Sequence, residues 1–96
     1  MDDQYQSRGI TLKLGSEACP EQWEAYDQHG NHLGYLRLRH GRFTVECPDI
    51  GGERVLDERP NGDGMFEDHE RKSYLEWAVS RIIAWSNEHM PVKEHV

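Results

Sequence analysis

The chain has 96 residues, of which 11 are Lys or Arg and 18 are Asp or Glu, giving a formal net charge of −7. This length suits one domain and is too short for two. The three Trp, four Tyr and two Phe argue against intrinsic disorder. No apolar run approaches the ~18 residues of a membrane span, and the acidic first residues do not resemble a signal peptide. We therefore expect one cytoplasmic domain over residues 1–96, with no membrane contact.

The first half of the chain predicts a series of short strands. The polar residues 1–9 are expected to be loose, because nothing in them anchors the chain to a core. Alternating apolar and polar residues predict strands at 10–14, 21–28, 33–39 and 42–47, and a short edge strand at 53–57. Turn residues separate these segments, as at 29–31.

The dipeptide His40-Gly41 stands between two alternating segments and is typical of a two-residue hairpin turn. With this dipeptide at the tip, four pairs face each other: Arg39 with Arg42, Leu38 with Phe43, Arg37 with Thr44, and Leu36 with Val45. The apolar members then share one face of the hairpin, which Trp23 and Ala25 join from the preceding strand. A register shift of one residue would mix the two faces, so the pattern specifies the pairing.

A helix is predicted from Phe66 to about Glu88, after a cluster of turn residues at 60–64. Its buried stripe follows three- and four-residue steps and consists of Leu75, Ala78, Val79, Ile82 and Ser86. Negative charge stabilises a helix N-terminus, and three acidic residues lie at this one: Glu67, Asp68 and Glu70. Met90-Pro91 should end the helix and leave the last six residues loose, so the ordered part is about 10–89. The fold class is α+β, an antiparallel meander of four or five strands with one C-terminal amphipathic helix packed on one face.

The two cysteines are expected to be free thiols. Cys19 and Cys47 fall at opposite ends of the predicted sheet, too far apart for a disulfide, and Cys47 should point into the core. No nucleophile paired with a base and no phosphate-binding glycine loop is apparent, so we expect no enzymatic activity.

Potential metal ligands are present but do not complete a site. Asp27, His29 and His32 gather around one turn, where histidines usually face solvent, and no second ligand pair completes a zinc set. The segment from Asp57 to Asp68 departs from a calcium loop because Arg59 stands where an acidic ligand is required. We therefore expect neither a metal nor a cofactor.

The negative charge is concentrated in residues 46–70, which hold nine acidic and two basic residues. Such a region can dock on a basic protein by complementary potential, or simply keep the surface soluble. On the helix, Trp77 is predicted to be exposed near aromatic and basic neighbours, a composition typical of interface hot spots. The candidate protein-binding residues are Asp57, Glu58, Asp63, Glu67, Asp68, Tyr74, Trp77 and Arg81.

These features favour a non-enzymatic protein-binding module, acting as an inhibitor or adaptor of a basic, nucleic-acid-handling protein in a bacterial or phage setting. One alternative is nucleic-acid binding through the exposed hairpin face, whose candidate residues are Tyr35, Arg37, Arg39 and Arg42. The net charge of −7 opposes that alternative because it repels a polyanion. A second alternative is a structural homodimer that associates through Trp77.

Overall fold

The computed structural model describes residues 3–16 and 19–89. In these residues, six strands form one antiparallel sheet in sequential order, and one helix follows. The elements are β1 Gln4–Ser7, β2 Ile10–Ser16, β3 Glu21–Tyr26, β4 His32–Arg39, β5 Arg42–Cys47, β6 Glu53–Glu58 and α1 Asp68–His89. The predicted α+β meander with a C-terminal helix on one face is confirmed, with one strand more than expected. The predicted helix stop at Met90-Pro91 and the loose C-terminal residues lie outside the described residues.

The additional strand is β1, so the expectation that the first nine residues are loose is wrong for Gln4–Ser7. Arg8 and Gly9 have φ values of 50° and 84° and form the two-residue turn that joins β1 to β2. Arg8 also donates from Nη2 to the Glu76 carboxylate of α1 at 2.7 Å, and the Tyr5 hydroxyl donates to the same carboxylate. The helix therefore holds β1 in place through polar contacts that a hydrophobic pattern does not reveal.

The predicted hairpin at His40-Gly41 is confirmed, including its register. The two turn residues have φ values of 55° and 72°, the left-handed conformation that a tight hairpin turn requires at both positions. The apolar residues of this hairpin are fully buried beneath the helix, with exposed fractions of 0%: Leu36, Leu38, Phe43 and Val45. Trp23 and Ala25 join them, as predicted.

The helix packs across the apolar face of the sheet through the predicted stripe. Leu75, Ala78, Val79 and Ile82 are buried, and Ser86 is half-buried. The Ile82 side chain of the helix packs against Gly34, where a Cβ atom would lie 3.3 Å from Cδ1 of Ile82. A glycine at this position of β4 therefore leaves room for the Ile82 side chain. No helix in the described part of the chain is long and apolar enough to cross a membrane.

A buried carboxylate joins the sheet to the start of the helix. The Glu21 side chain accepts hydrogen bonds from Trp23 Nε1 at 2.8 Å and from the backbone N–H of Phe66 at 3.0 Å. Arg71 donates to it from Nε at 3.0 Å and from Nη2 at 3.1 Å. The exposed fractions of the Arg71 and Glu21 side chains are 12% and 0%. A charge buried this deeply is tolerated because all of its hydrogen-bonding capacity is used.

Replacing Glu21 by Gln should therefore lower the free energy of unfolding by about 3 kcal/mol, because it leaves the Arg71 charge without its buried partner. Urea denaturation at pH 7 measures this difference. Glu88→Gln is the matched control, since the Glu88 side chain is 76% exposed. A Glu21→Gln variant as stable as the control would contradict the assigned role of the carboxylate.

Candidate functional site

An aromatic stack leads from the core to the outer side of α1. The Phe66 ring lies 4.9 Å from that of Phe43 and 5.5 Å from that of Tyr74. Trp77 stacks on Tyr74 with ring centroids 6.1 Å apart and is 42% exposed, as the sequence predicted. Because stacking restrains the indole, a partner that covered it would cost little additional side-chain entropy.

The neighbourhood of this indole is partly apolar and partly charged. Arg81, one helical turn after Trp77, is exposed and lines a groove of about 320 Å³ between α1 and β6. Val55, Ala84 and Trp85 form the apolar part of the groove, and Arg54 lines it from the edge strand β6. Trp85 Nε1 donates to the Glu53 carboxylate at 3.3 Å. We call Tyr74, Trp77 and Arg81 the Trp77 surface.

The predicted acidic contact residues do not lie on one surface. Glu67 and Asp68 are exposed at the start of α1, and Glu58 is half-buried at the end of β6 on the helix side. Asp63 is exposed beside the β4–β5 turn, which donates a backbone hydrogen bond of 2.7 Å to its carbonyl oxygen. Asp57 lies on the opposite face of the sheet, among arginines. The acidic stretch of the sequence is thus divided between the two faces of the molecule.

Arginines from three strands line a depression on the sheet face that α1 leaves open. We call it the arginine depression; its volume is about 570 Å³ and its lining residues are Arg37, Arg39, His40, Arg42, Thr44, Arg54 and Arg59. The sequence had placed only Arg37, Arg39 and Arg42 together on this face. Arg54 reaches it because a bulge between β5 and β6 shifts the register, and Arg59 because it follows β6 directly. Neither position can be found from alternation alone.

Carboxylates engage only some of these guanidinium groups. Asp57 accepts hydrogen bonds from Arg42 at 2.9 and 2.6 Å and from Arg59 at 2.8 Å. The bonds from Arg42, and to a smaller extent the bond from Arg59, hold the pKa of Asp57 well below its usual range. In the described part of the chain, no carboxylate oxygen lies within 4.0 Å of a guanidinium nitrogen of Arg37 or Arg39.

The prediction that Tyr35 offers an exposed aromatic platform is wrong. Its exposed fraction is 9%, and its hydroxyl donates to Gln22 at 2.9 Å. Tyr35 lies on an inner strand between Glu24 of β3 and Glu46 of β5, and the side chains of neighbouring strands cover its ring. Burial raises the pKa of Tyr35 above its ordinary value. The open face of the sheet therefore presents guanidinium groups without this ring for base stacking.

The start of α1 is capped by the buried carboxylate of Glu70. It accepts hydrogen bonds from the backbone N–H groups of Asn61 at 2.9 Å, Gly62 at 2.8 Å and Glu67 at 3.0 Å. The bond to Glu67, three residues earlier, is half of a capping box. Burial raises the pKa of Glu70, but the three N–H donors outweigh this and leave it below its ordinary value. Glu70 thus serves the fold and is withdrawn from the acidic surface.

Asp27, His29 and His32, which the sequence places around one turn, do not form a single cluster of ligands. Asp27 accepts backbone hydrogen bonds from His29 at 2.8 Å and Asn31 at 2.9 Å, which makes it a turn cap. His32 instead lies 2.6 Å from Glu24 through Nε2 and 3.5 Å from Asp49 through Nδ1. Ligand atoms from Glu24, His32 and Asp49 lie within 4.8 Å of one another. Because the two carboxylates face different ring nitrogens, the arrangement resembles a bridged hydrogen-bond triad more than a metal cage.

Both cysteines are free, as predicted. Cys47 is buried, and burial raises the pKa of its thiol to about 12. A thiol in this state is not a nucleophile at neutral pH. Cys19 is exposed and lies next to Gly64 in the loop before α1.

No protein-family model, curated protein or solved structure matches this chain. Its function must therefore be argued from the Trp77 surface, the exposed acids at the start of α1 and the arginine depression.

The capping carboxylate predicts a specific dependence of stability on pH. A folded-state pKa below the ordinary 4.5 means that the stabilisation by Glu70 is fully present above about pH 4.5 and is lost as the pH falls through the folded value. The Glu70→Gln variant should be less stable than wild type at pH 7, and this difference should shrink between pH 5 and 3. Urea denaturation across that range, with Glu88→Gln as control, measures the effect. A difference that stays constant with pH would contradict the capping role of the charge.

Proposed function

We propose that the protein is a non-enzymatic binding module whose partner is another protein, held mainly by the Trp77 surface. The observation that carries the proposal is the aromatic stack, which ends in an indole that is 42% exposed. Trp, Tyr and Arg are the residue types that most often dominate binding energy at protein interfaces. The proposed contact set combines this surface with Glu58, on the helix side of the sheet, and Glu67, exposed just before α1. Asp68 is left out, because its carboxylate accepts from Arg71 at 2.8 Å and lies on the side of α1 that faces Gln4 and Tyr5 of β1.

Charge supports a basic partner. The chain carries −7 overall, yet five of its 11 basic side chains are gathered in the arginine depression on the opposite face. The remaining surface, which includes the helix side, is therefore more acidic than the net charge suggests. A basic patch on the partner would be attracted to it, and the encounter would slow as salt screens the field. An inhibitor or adaptor of a basic, nucleic-acid-handling protein fits this charge distribution.

The structure also changes the proposed contact set. Asp57 is excluded, because it lies on the opposite face and its charge is engaged by Arg42 and Arg59. Asp63 is excluded because it lies beside the β4–β5 turn. The proposal thus depends on the Trp77 surface together with Glu58 and Glu67, and not on the acidic stretch as a whole.

Replacing Trp77 by Ala should weaken binding to the partner by about 2 kcal/mol or more, roughly 30-fold, as expected for a central aromatic contact. The partner would be recovered from nuclease-treated lysate of the source cells, purified, and titrated calorimetrically with wild type and variant. Ile50→Ala is the matched control, since Ile50 is also an exposed hydrophobic residue, at 61%. Equal affinity of the Trp77 and Ile50 variants would contradict the proposal.

Light scattering after size-exclusion chromatography distinguishes the homodimer alternative. Under the proposal, wild type is monomeric at high micromolar concentration, and Trp77→Ala does not change its mass. A wild-type dimer that Trp77→Ala converts to monomer would mean that the partner is a second copy of the chain.

A further inference from the structure

The arginine depression concentrates positive charge far beyond what the composition of the chain predicts. Five guanidinium groups and His40 surround it, and the carboxylates that pair with its arginines come from Asp57 and Glu46. The depression is thus strongly cationic, whereas the rest of the chain holds six basic residues against 16 acidic ones. A fold does not require this segregation, because like charges in neighbouring strands repel each other.

The repulsion is clearest at the end of the hairpin. Arg39 and Arg42 are direct cross-strand partners. Arg42 is compensated by Asp57, but Arg39 and its neighbour Arg37 have no carboxylate within 4.0 Å among the described residues. Two guanidinium groups without an ion pair among the described residues therefore border a concave site in which a third is already held in a fixed orientation.

We propose that the arginine depression binds a compact ligand that carries two or more phosphate groups. Guanidinium groups match phosphate oxygens in bidentate geometry and are less strongly hydrated than ammonium groups, so they suit this ligand class best. Arg42 already offers such a fork, since it binds Asp57 through both Nε and Nη2. The volume of about 570 Å³ falls in the range of small-molecule sites.

The surroundings favour a compact ligand over a nucleic acid. A polynucleotide would extend beyond the depression onto a surface where acidic residues outnumber basic ones, and its phosphates would be repelled there. Single-strand binding also relies on exposed rings for base stacking, and Tyr35 is buried on this face. A ligand that fits inside the depression meets the arginines and avoids the surrounding acids.

The carboxylate of Asp57 competes with the proposed ligand for the arginines. It occupies the donor fork of Arg42 and one nitrogen of Arg59, the same groups that phosphate oxygens would use. Asp57 therefore competes with the ligand, and removing its charge should strengthen binding. A residue with only a structural role would have the opposite effect or none.

The direct test is calorimetric titration with inorganic tripolyphosphate at low and physiological salt. The double variant Arg37→Gln, Arg39→Gln should bind at least tenfold more weakly than wild type. Asp57→Asn should bind several-fold more tightly, even if its melting temperature falls. The control double variant Lys72→Gln, Arg81→Gln removes the same charge from exposed positions of α1 and should bind within twofold of wild type. Thermal melting by circular dichroism confirms that each variant is folded.

Several results would overturn the proposal. These are no saturable binding of tripolyphosphate by wild type, equal losses in the two double variants, or weaker binding by Asp57→Asn. Equal affinity for citrate would remove the preference for phosphate. Affinity for single-stranded oligonucleotides that grows with length and exceeds that for tripolyphosphate would assign the face to nucleic acid instead. Trp77→Ala should leave tripolyphosphate binding unchanged, so this site and the proposed protein interface can fail independently.

Discussion

The buried carboxylate of Glu21 is the constraint on which the arrangement of the molecule depends. It lies at the start of β3 and binds both the loop before α1, at Phe66, and the first turns of α1, at Arg71. Leaving a buried charge without a partner is costly, so each of these contacts favours the others. Hydrophobic packing alone would allow a helix to slide over a flat apolar face. The hydrogen bonds of Glu21 fix the position of the first turns of α1 relative to β3.

The two faces of the sheet acquire different roles from this placement. With the helix start fixed at β3, the stripe from Leu75 to Ile82 covers the apolar face, and Trp77 is exposed on the outer side of α1. Glu76 then faces β1 and binds Arg8, so the same helix holds the first strand. The other face of the sheet is left open and polar, and there the arginine depression forms. Both candidate binding surfaces therefore follow from one docking geometry.

Patterns that depend on neighbouring residues could be read from the sequence. The hairpin at His40-Gly41 was predicted to the residue, because alternation on both sides fixes its register. The chemically similar turn at Arg8-Gly9 was missed because the strand before it, Gln4–Ser7, is polar and lacks alternation. Exposure of Trp77 followed from helical periodicity. Burial of Tyr35 did not, because it depends on side chains from the strands on either side.

Features that join distant residues could not be read in this way. Glu21 and Arg71 are 50 positions apart, and nothing in the local sequence marks either one as buried. The acidic stretch was predicted as one surface, whereas the structure assigns Glu70 to a helix cap and Asp57 to the arginines. Arg54 joins the depression only because a bulge shifts β6 against β5. The sequence thus predicted the arginines of the exposed hairpin face but not the division of the acidic residues between the two faces.

Arginine side chains and the Trp77 indole lie on opposite faces of one sheet, and we propose that they belong to two independent binding sites. Nuclear magnetic resonance of the ¹⁵N-labelled wild-type chain, titrated with tripolyphosphate, tests this most directly. The account predicts saturable shifts in the amide and arginine Nε signals of Arg37, Arg39 and Arg42, with the indole signal of Trp77 unchanged. Shifts centred on Trp77, or spread evenly over both faces, would contradict it.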